Sequence, residues 1–377
     1  MAKAGFLRRH ALKLALSAVI TVAILWGLKS VGLKLWPSGV SFRHVRWWAL
    51  PLYLLTVAGM SYFRAVRWRF LLRRITGDMP TSRLLAISWI GFAAILLMPF
   101  RLGEFVRPAL IREKGKVSFS SATGSVVGER VVDGLYLSIV LAVALVFVPH
   151  IEPMPTADLE LPGGGRVVIS GQHLRASGFL MLGVFAIAFV VIAVFYFARA
   201  FAHRMTMRVF GIVSKELGEK LATFAEKLAG GLHFLGSGRD ASGFFLETSF
   251  YWALNVLGMW LLAWGCGITH ADGTSIRFGE TCAMMGMLGI AVLIPGPPGL
   301  LGTFQAGIYA GLVMYFPVDV AKEAGAAYVF LLYAVQVIWT VGTGGAFVVR
   351  DRARIRTLFE EQEAERAENL APRAVPP

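Results

Sequence analysis

The apolar runs of this sequence constrain its fold most, because several of them are long enough to cross a lipid bilayer. A run of about twenty apolar residues spans the hydrocarbon core as an α-helix. Hydrophobic residues make up 56% of the chain and charged residues only 16%. This composition is too apolar for a soluble protein with one buried core. The sequence therefore predicts an all-α polytopic membrane protein.

Some of these runs are long enough for full transmembrane helices, and others are not. We predict about six full spans, near residues 11–28, 47–66, 126–148, 178–198, 244–265 and 326–349. Two further stretches, near 84–111 and 280–316, are apolar but interrupted by proline and glycine. Irregular backbone is tolerated at membrane depth only inside protein or beside a water-filled cavity. We therefore interpret both stretches as re-entrant hairpins, which enter and leave the membrane on one side.

The breaks in the two hairpins resemble each other. Each contains a short apolar run, a proline, a glycine and a phenylalanine, as "LLMPFRLGEF" in the first and "VLIPGPPGLLGTF" in the second. The helix-breaking residues are Pro99, Gly103, Pro295, Gly296, Pro297, Pro298 and Gly299. Broken helices at corresponding positions of two oppositely oriented halves are typical of transporter substrate sites. The similarity indicates either an inverted repeat or a chance likeness between two Pro/Gly breaks.

The distribution of basic residues predicts the orientation. The net charge of +14 is spread between apolar runs rather than along one face, which excludes a nucleic-acid partner. The positive-inside rule places both termini in the cytoplasm of a bacterial inner membrane and the two hairpins in opposite orientations. The basic segments 64–83, 112–116, 199–227 and 350–356 then face the cytoplasm, and the acidic loop 149–176 faces outward. Residues 29–46 fit this topology poorly, because they place basic residues outside.

Three charged residues follow the first break: Arg101, Glu104 and Arg107. Charges inside a membrane are costly and usually mark a functional site. If a half-helix begins at Pro99, its free amides and Arg101 could bind an anion such as a phosphate. Glu104 could then hold both arginines in the empty state. The alternative is that the segment lies at the cytoplasmic surface, where its charges are solvated.

A second charged group, Glu129, Arg130 and Asp133, stands at the start of a long apolar run. Unpaired charges would be costly there, so we expect them to face the interior and to pair with an arginine of the first hairpin. The alternative is a charged helix start at the interface, where the helix dipole favours acids. Thr303 and Gln305, after the second break, complete the predicted substrate-binding set.

Outside these groups the sequence predicts peripheral elements. Residues near 207–235 have apolar positions at helical spacing and lysines on other faces, which is typical of an amphipathic helix on the inner leaflet. A docking helix for a cytoplasmic partner is the alternative. Residues 351–377 form a charged cytoplasmic tail. The scattered histidines and the absence of nucleotide-binding motifs predict no metal and no cofactor.

Three sequence blocks carry a family resemblance. "RLGEFVRPALI", "GERVVDGLYL" and "IPGPPGLLGTFQAG" resemble recurring blocks of the lysylphosphatidylglycerol synthase transmembrane region family, also called flippase-like membrane proteins. The resemblance extends over about residues 10–350. It implies an inner-membrane protein whose best understood relatives move an aminoacylated lipid between leaflets, while other branches are associated with glycolipid or hopanoid pathways. The family's charged positions fall on Arg101 and Glu104, with Arg107 following, and on Glu129, Arg130 and Asp133.

Two departures from the family pattern matter. Gln305 stands near a position where the family often has an acid, and it can only form hydrogen bonds. After Arg350 the sequence leaves no room for the soluble domain that aminoacylates the lipid, so lipid aminoacylation by this chain is not expected.

Two functions are consistent with these features. The first is a lipid flippase for an anionic or headgroup-modified lipid of the phospholipid, glycolipid or hopanoid type. Its partners would be the membrane lipid and a separately encoded lipid-modifying enzyme. The second is a membrane-embedded enzyme acting on a lipid phosphate or lipid-linked sugar, with Glu104 or Asp133 as general base. The first is favoured because the loop at 149–176 offers few polar residues to cover an active site.

Overall fold

Helices make up nearly all of the regular structure in the computed structural model. It describes residues 35–112, 117–151, 156–160, 166–210, 236–293 and 298–350, with isolated positions at 19, 22, 26, 29, 214–216 and 219. Several predicted features lie outside the described residues. They are nearly all of the span at 11–28, most of the amphipathic segment near 207–235, the breaks at Pro295, Gly296 and Pro297, and the tail at 351–377.

Twelve α-helices lie in the described part of the chain. They are α1 Ala49–Val66, α2 Trp68–Thr76, α3 Thr81–Leu97, α4 Val106–Ile111, α5 Phe119–Phe147, α6 Gly171–Phe197, α7 Arg199–Phe210, α8 Gly238–Gly265, α9 Phe278–Ala291, α10 Thr303–Tyr315, α11 Val318–Lys322 and α12 Ala324–Arg350. Short 3-10 helices cover Gly39–Phe42, Pro99–Phe105 and Pro298–Leu300. In the predicted outer loop, β1 Thr156–Glu160 pairs antiparallel with β2 Arg166–Ser170, and this hairpin departs from the all-helical prediction.

Three helical stretches in the described part of the chain are long and apolar enough to cross a membrane. They are Ala49–Arg73, Phe119–Phe147 and Ala324–Arg350, which coincide with the predicted spans near 47–66, 126–148 and 326–349. Two more predicted spans, near 178–198 and 244–265, are helical as α6 and α8. The chain is thus a multi-pass membrane protein. Its full number of crossings stays a prediction.

Both predicted hairpins have the form of a helix, a break and a second helix. In the first, α3 ends at Leu97 and Pro99 begins the 3-10 turn that leads into α4. This turn lies directly on α3, because a methyl group at Gly103 would be 2.1 Å from the carbonyl carbon of Ala94. In the second, α9 ends at Ala291 and α10 begins at Thr303. Whether either hairpin is re-entrant stays a prediction.

The two breaks share an unusual backbone conformation at the same sequence position. Arg101 follows Pro99 by two residues and has a φ of +57°, and Leu300 follows Pro298 by two residues and has a φ of +55°. Among the described residues, no other non-glycine residue has a positive φ. Such a φ is uncommon for a bulky side chain. Whether the two halves form an inverted repeat stays a prediction.

The helices pack closely where small residues face each other. Gly265 of α8 lies against Ala49 of α1, and Gly344 of α12 lies against Ala93 of α3. Small residues let helix backbones approach closely and are typical of packing in membranes. The two breaks are also in contact with each other. Arg101 Nη1, in the first break, donates a 3.3 Å hydrogen bond to the carbonyl oxygen of Val292, at the end of α9.

Candidate functional site: an arginine–carboxylate network beside a cavity

The centre of the network is Arg67, at the junction of α1 and α2. Its Nη1 and Nη2 atoms donate to the two carboxylate oxygens of Asp133 at 2.6 and 2.7 Å. The same Nη2 also contacts Glu129 Oε1 at 3.1 Å, and Nη1 donates to Thr248 Oγ1 at 3.2 Å. The side chains of Arg67 and Glu129 are completely buried. The network therefore joins the α1–α2 junction to α5 and α8.

A second buried arginine, Arg107 of α4, completes the pairing of Glu129. Its Nη2 donates to Glu129 Oε2 at 2.9 Å, and its guanidinium lies 4.0 Å from the centre of the Trp68 ring. Gly91 of α3 leaves room for the stem of this side chain, since a methyl group there would be 2.2 Å from Arg107 Cγ. Glu129 thus binds Arg67 through one oxygen and Arg107 through the other.

The outer part of the network is partly exposed and looser. Arg101 Nη2 lies 2.9 Å from Glu104 Oε1. Arg130 lies 3.7 Å from Glu104 and 3.4 Å from both Glu129 and Asp133. Charge-assisted hydrogen bonds are normally about 2.7–2.9 Å long. Arg130 is therefore near three acids but has a good hydrogen bond to none of them.

The outer part of the network lines a cavity of about 590 Å³. Its charged lining residues are Arg64, Arg101, Glu104, Arg130 and Asp133. Its uncharged polar lining includes Tyr251, Asn255, Tyr333, Gln336 and Thr340, and apolar side chains of α5, α6 and α9 cover much of the remainder. Residues of both breaks line the cavity. They are Arg101, Glu104 and Phe105 from the first break and Gly299 and Leu300 from the second. Cavities of this size and mixed polarity are typical of small-molecule and cofactor sites.

The sequence matches one family model over most of its length. The family model described as "Lysylphosphatidylglycerol synthase TM region" matches residues 11–345. The chain belongs to this family. The match includes both breaks, every residue of the network and the cavity lining.

A curated relative of this lysylphosphatidylglycerol synthase TM region protein is Glycosyltransferase AglD of Haloferax volcanii. The two chains are 24% identical over 305 residues, which are 79% of this chain and 48% of the relative. The chain therefore spans about half the length of the curated relative that it matches. No solved structure matches it.

The structure brings together most of the predicted site residues, but in two groups. Arg101, Glu104, Arg130 and Asp133 line the cavity, whereas Arg107 and Glu129 lie behind it and are fully buried. The predicted pairing of an acid of the second group with an arginine of the first hairpin is confirmed by Glu129 and Arg107.

Two other expectations about these charges are wrong. Glu104 pairs with Arg101 and approaches Arg130, and the structure gives it no bond to Arg107 among the described contacts. The 3-10 turn between Arg101 and Arg107 separates the two arginines, so they do not share one helix face. The interface alternative for the second group is also wrong, because α5 begins at Phe119, well before Glu129.

Thr303 and Gln305, which were predicted to bind substrate, lie at the start of α10. Gln305 caps this helix, since its Oε1 accepts a 2.7 Å hydrogen bond from the backbone N–H of Gly302. Thr303 Oγ1 donates to the carbonyl oxygen of Leu300 at 2.9 Å, in the turn before the helix. Both side chains are buried and neither lines the cavity. Their part in substrate binding stays a prediction.

The capping role of Gln305 leads to a testable expectation. Gln305→Ala should lower the free energy of unfolding by about 1 kcal/mol, the usual effect of losing a helix N-terminal cap. Thermal unfolding of the purified protein measures this change. Gln172→Ala, at an exposed position of α6, is the control and should have little effect. Unchanged stability of Gln305→Ala would contradict the capping role.

Arg67 and Arg64 were not among the predicted site residues, because the sequence places them in a basic connection that faces the cytoplasm. In the structure, the side chain of Arg67 is completely buried and Arg64 lines the cavity. The side of the membrane on which this connection lies stays a prediction. One signal could have found Arg67. Trp68, Leu71 and Leu72 follow it directly, so the apolar character of α1 continues past the arginine instead of ending there.

Proposed function

We propose that this protein moves an anionic lipid between the leaflets of the bacterial inner membrane, with both termini in the cytoplasm. The charge balance of the site carries this proposal. Among the described residues in and behind the cavity, five arginines face three carboxylates, an excess of two positive charges. They are Arg64, Arg67, Arg101, Arg107 and Arg130 against Glu104, Glu129 and Asp133. Because uncompensated charge in a membrane-spanning region is costly, an anionic ligand would stabilise the site.

The shape of the cavity supports a lipid rather than a soluble anion. Phe105, at the first break, and Leu293, beside the second, line the cavity and are 47% and 42% exposed. An apolar rim of this kind suits acyl chains, while the arginines at the polar end suit a headgroup. A volume of about 590 Å³ accommodates the headgroup, so the chains would remain against the apolar surface outside it.

Arg101 lines the cavity and also connects the two breaks, so binding of a substrate could change how the breaks pack. Its guanidinium binds Glu104 and the Val292 carbonyl, so it joins the first break to the end of α9. A lipid phosphate that binds Arg101 would compete with these contacts and loosen the junction between the two breaks. In transporters built from inverted repeats, relative movement of the repeats exposes the site to each side in turn.

Lipid exchange in liposomes tests this function. We expect the reconstituted protein to exchange fluorescent phosphatidylglycerol between leaflets faster than protein-free liposomes do. Arg101→Lys should reduce the rate about tenfold, because a single ammonium group does not reproduce the forked contacts of a guanidinium. Arg43→Lys, at an exposed position outside the cavity, is the matched control and should exchange lipid at the wild-type rate.

Two results would contradict the proposal. One is exchange by the wild-type protein at the rate of protein-free liposomes for every anionic lipid. The other is equal exchange by Arg101→Lys and wild type, which would mean that the charges after the first break have no part in transport.

The name of the curated relative, a glycosyltransferase, favours a second candidate, an enzyme that acts on a lipid-linked sugar. That name belongs to a protein of which this chain covers 48%. The proposed general bases are poorly placed for the role, since Asp133 binds Arg67 through both oxygens and Glu104 binds Arg101. A new product on incubation with a lipid-linked sugar, detected by mass spectrometry, would favour the enzyme over the transporter.

A further inference from the structure

We infer that the cavity selects a lipid headgroup that contains a phosphate joined to an uncharged polar group, and that Arg64 and Arg130 bind the phosphate together with Arg101. A headgroup bearing an ammonium, as in an aminoacylated lipid, is disfavoured. This inference rests on the proposed lipid function, but it concerns which lipid binds and not how fast the lipid moves.

Arg64 is the cavity arginine that has no acidic partner among the described residues. Its guanidinium carbon lies 4.1 Å from the centre of the Phe92 ring, and its Nε atom is buried without a hydrogen-bond partner. Stacking on an aromatic face fixes the plane of a guanidinium while its N–H edges stay free. Arg64 is therefore a positioned cation in the cavity wall whose donors remain available to a ligand.

Arg130 is the second cation with donors to spare. It lies 3.4 Å from Glu129 and Asp133 and 3.7 Å from Glu104. Each of these acids has a shorter contact with another arginine: 2.9 Å for Glu104 and for Glu129, and 2.6 Å for Asp133. Arg130 can therefore turn toward a ligand without leaving any of the three carboxylates unpaired.

The carboxylates in the cavity wall already have arginine partners, so they are less available to a cationic ligand than Arg64 and Arg130 are to an anionic one. Asp133 and Glu104 are the acids among the described lining residues. Both oxygens of Asp133 accept from Arg67, and Glu104 has Arg101 on one oxygen and Arg130 near the other. An ammonium group in the cavity would thus meet two arginines with available donors, whereas both carboxylates are already paired with an arginine. Like charges brought together in a site of low dielectric constant oppose binding.

The uncharged polar lining suits the rest of such a headgroup. Asn255, Gln336 and Thr340 line the same cavity. Side-chain amides and hydroxyls both donate and accept, so they can bind the hydroxyl groups of a glycerol or a sugar. The cavity therefore combines a cationic subsite for a phosphate with a neutral subsite for hydroxyls.

The test is a binding experiment with the full-length protein in detergent, independent of transport. Fluorescent phosphatidylglycerol is the probe, and unlabelled phosphatidylglycerol, lysylphosphatidylglycerol, glycerophosphoglycerol and inorganic phosphate are the competitors. We expect lysylphosphatidylglycerol to compete at least tenfold more weakly than phosphatidylglycerol. The two soluble phosphates should compete more weakly still, because they lack the acyl chains.

Substitution of Arg64 tests the assigned phosphate-binding residue. Arg64→Gln should weaken phosphatidylglycerol binding about ten- to a hundredfold, the range expected for one charge-assisted hydrogen-bonding partner. It should fold normally, since Arg64 has no ion pair with a described carboxylate to lose. Arg43→Gln removes an equal charge at an exposed position and should bind like wild type.

Several outcomes would overturn the inference. They are equal or tighter binding of lysylphosphatidylglycerol, wild-type affinity of Arg64→Gln for phosphatidylglycerol, and equal competition by inorganic phosphate, which would make free phosphate the ligand. Selective, Arg64-dependent binding without lipid exchange by the wild-type protein would instead support the inference and contradict the proposed transport.

Discussion

Glu129→Gln is expected to destabilise the protein by about 3 to 5 kcal/mol, the range seen when one partner of a buried ion pair is removed. Glu129 is completely buried and binds Arg67 at 3.1 Å and Arg107 at 2.9 Å. Glutamine keeps the shape of the side chain and one acceptor oxygen but removes the negative charge. Arg67 retains Asp133, whereas Arg107 has no second carboxylate among its described contacts.

Thermal unfolding of the detergent-purified variants measures this effect. Asp78→Asn is the matched control, because Asp78 is 87% exposed and its pair with Arg73 is solvated. A pair of that kind contributes little to stability. The double variant Glu129→Gln, Arg107→Met should recover part of the loss, since it removes the unpaired cation as well. Equal stability of Glu129→Gln and Asp78→Asn would contradict the buried network.

Gly103→Ala is expected to destabilise the protein by about 3 kcal/mol or more and to abolish lipid exchange. The added methyl group would lie 2.1 Å from the carbonyl carbon of Ala94 and 2.2 Å from the backbone nitrogen of Ile95. Backbone atoms cannot rotate away as a side chain can. The 3-10 turn must therefore move off α3, and it carries Arg101 and Glu104 out of their positions in the cavity wall.

The matched control for this change is Gly342→Ala in α12. No atom lies within 4 Å of the added methyl group there, and alanine favours a helix over glycine by up to about 1 kcal/mol. This control should be as stable as the wild type or more stable, with normal lipid exchange. Wild-type stability of Gly103→Ala would show that the turn does not lie against α3.

Much of the fold follows from local patterns in the sequence. In the described part of the chain the long apolar runs correspond to helices, and the two hairpins are broken where proline and glycine interrupt such a run. Helix starts were less predictable. The long helix α5 begins at Phe119, capped by Ser118, whereas the apolar run alone predicts a start near 126. Serines and threonines in that stretch are only weakly polar, so hydropathy does not distinguish a helix start from a connection.

Most of the predicted charged residues lie in one network, but part of their predicted pairing is wrong. Spacing along the chain placed Glu104 beside Arg107, but the 3-10 turn that includes Arg101 separates them, and Arg107 binds Glu129 instead. Gln305 follows a break just as Glu104 does, yet it caps α10. A turn of irregular backbone changes the direction of every following side chain, which no helical spacing rule can anticipate.

The sequence by itself determined that this chain crosses a membrane several times, where its helices are interrupted, and that charged residues stand next to one interruption. These properties depend on the free energy of transferring each residue from water to lipid and on the local limits of proline and glycine. Only the tertiary structure decided which charges meet. Arg67 and Asp133 are far apart in the chain, but Arg67 Nη1 lies 2.6 Å from Asp133 Oδ1. A buried charge is stable only beside its partner, and the packing of α1 against α8 and of α2 against α5 places the two side chains together.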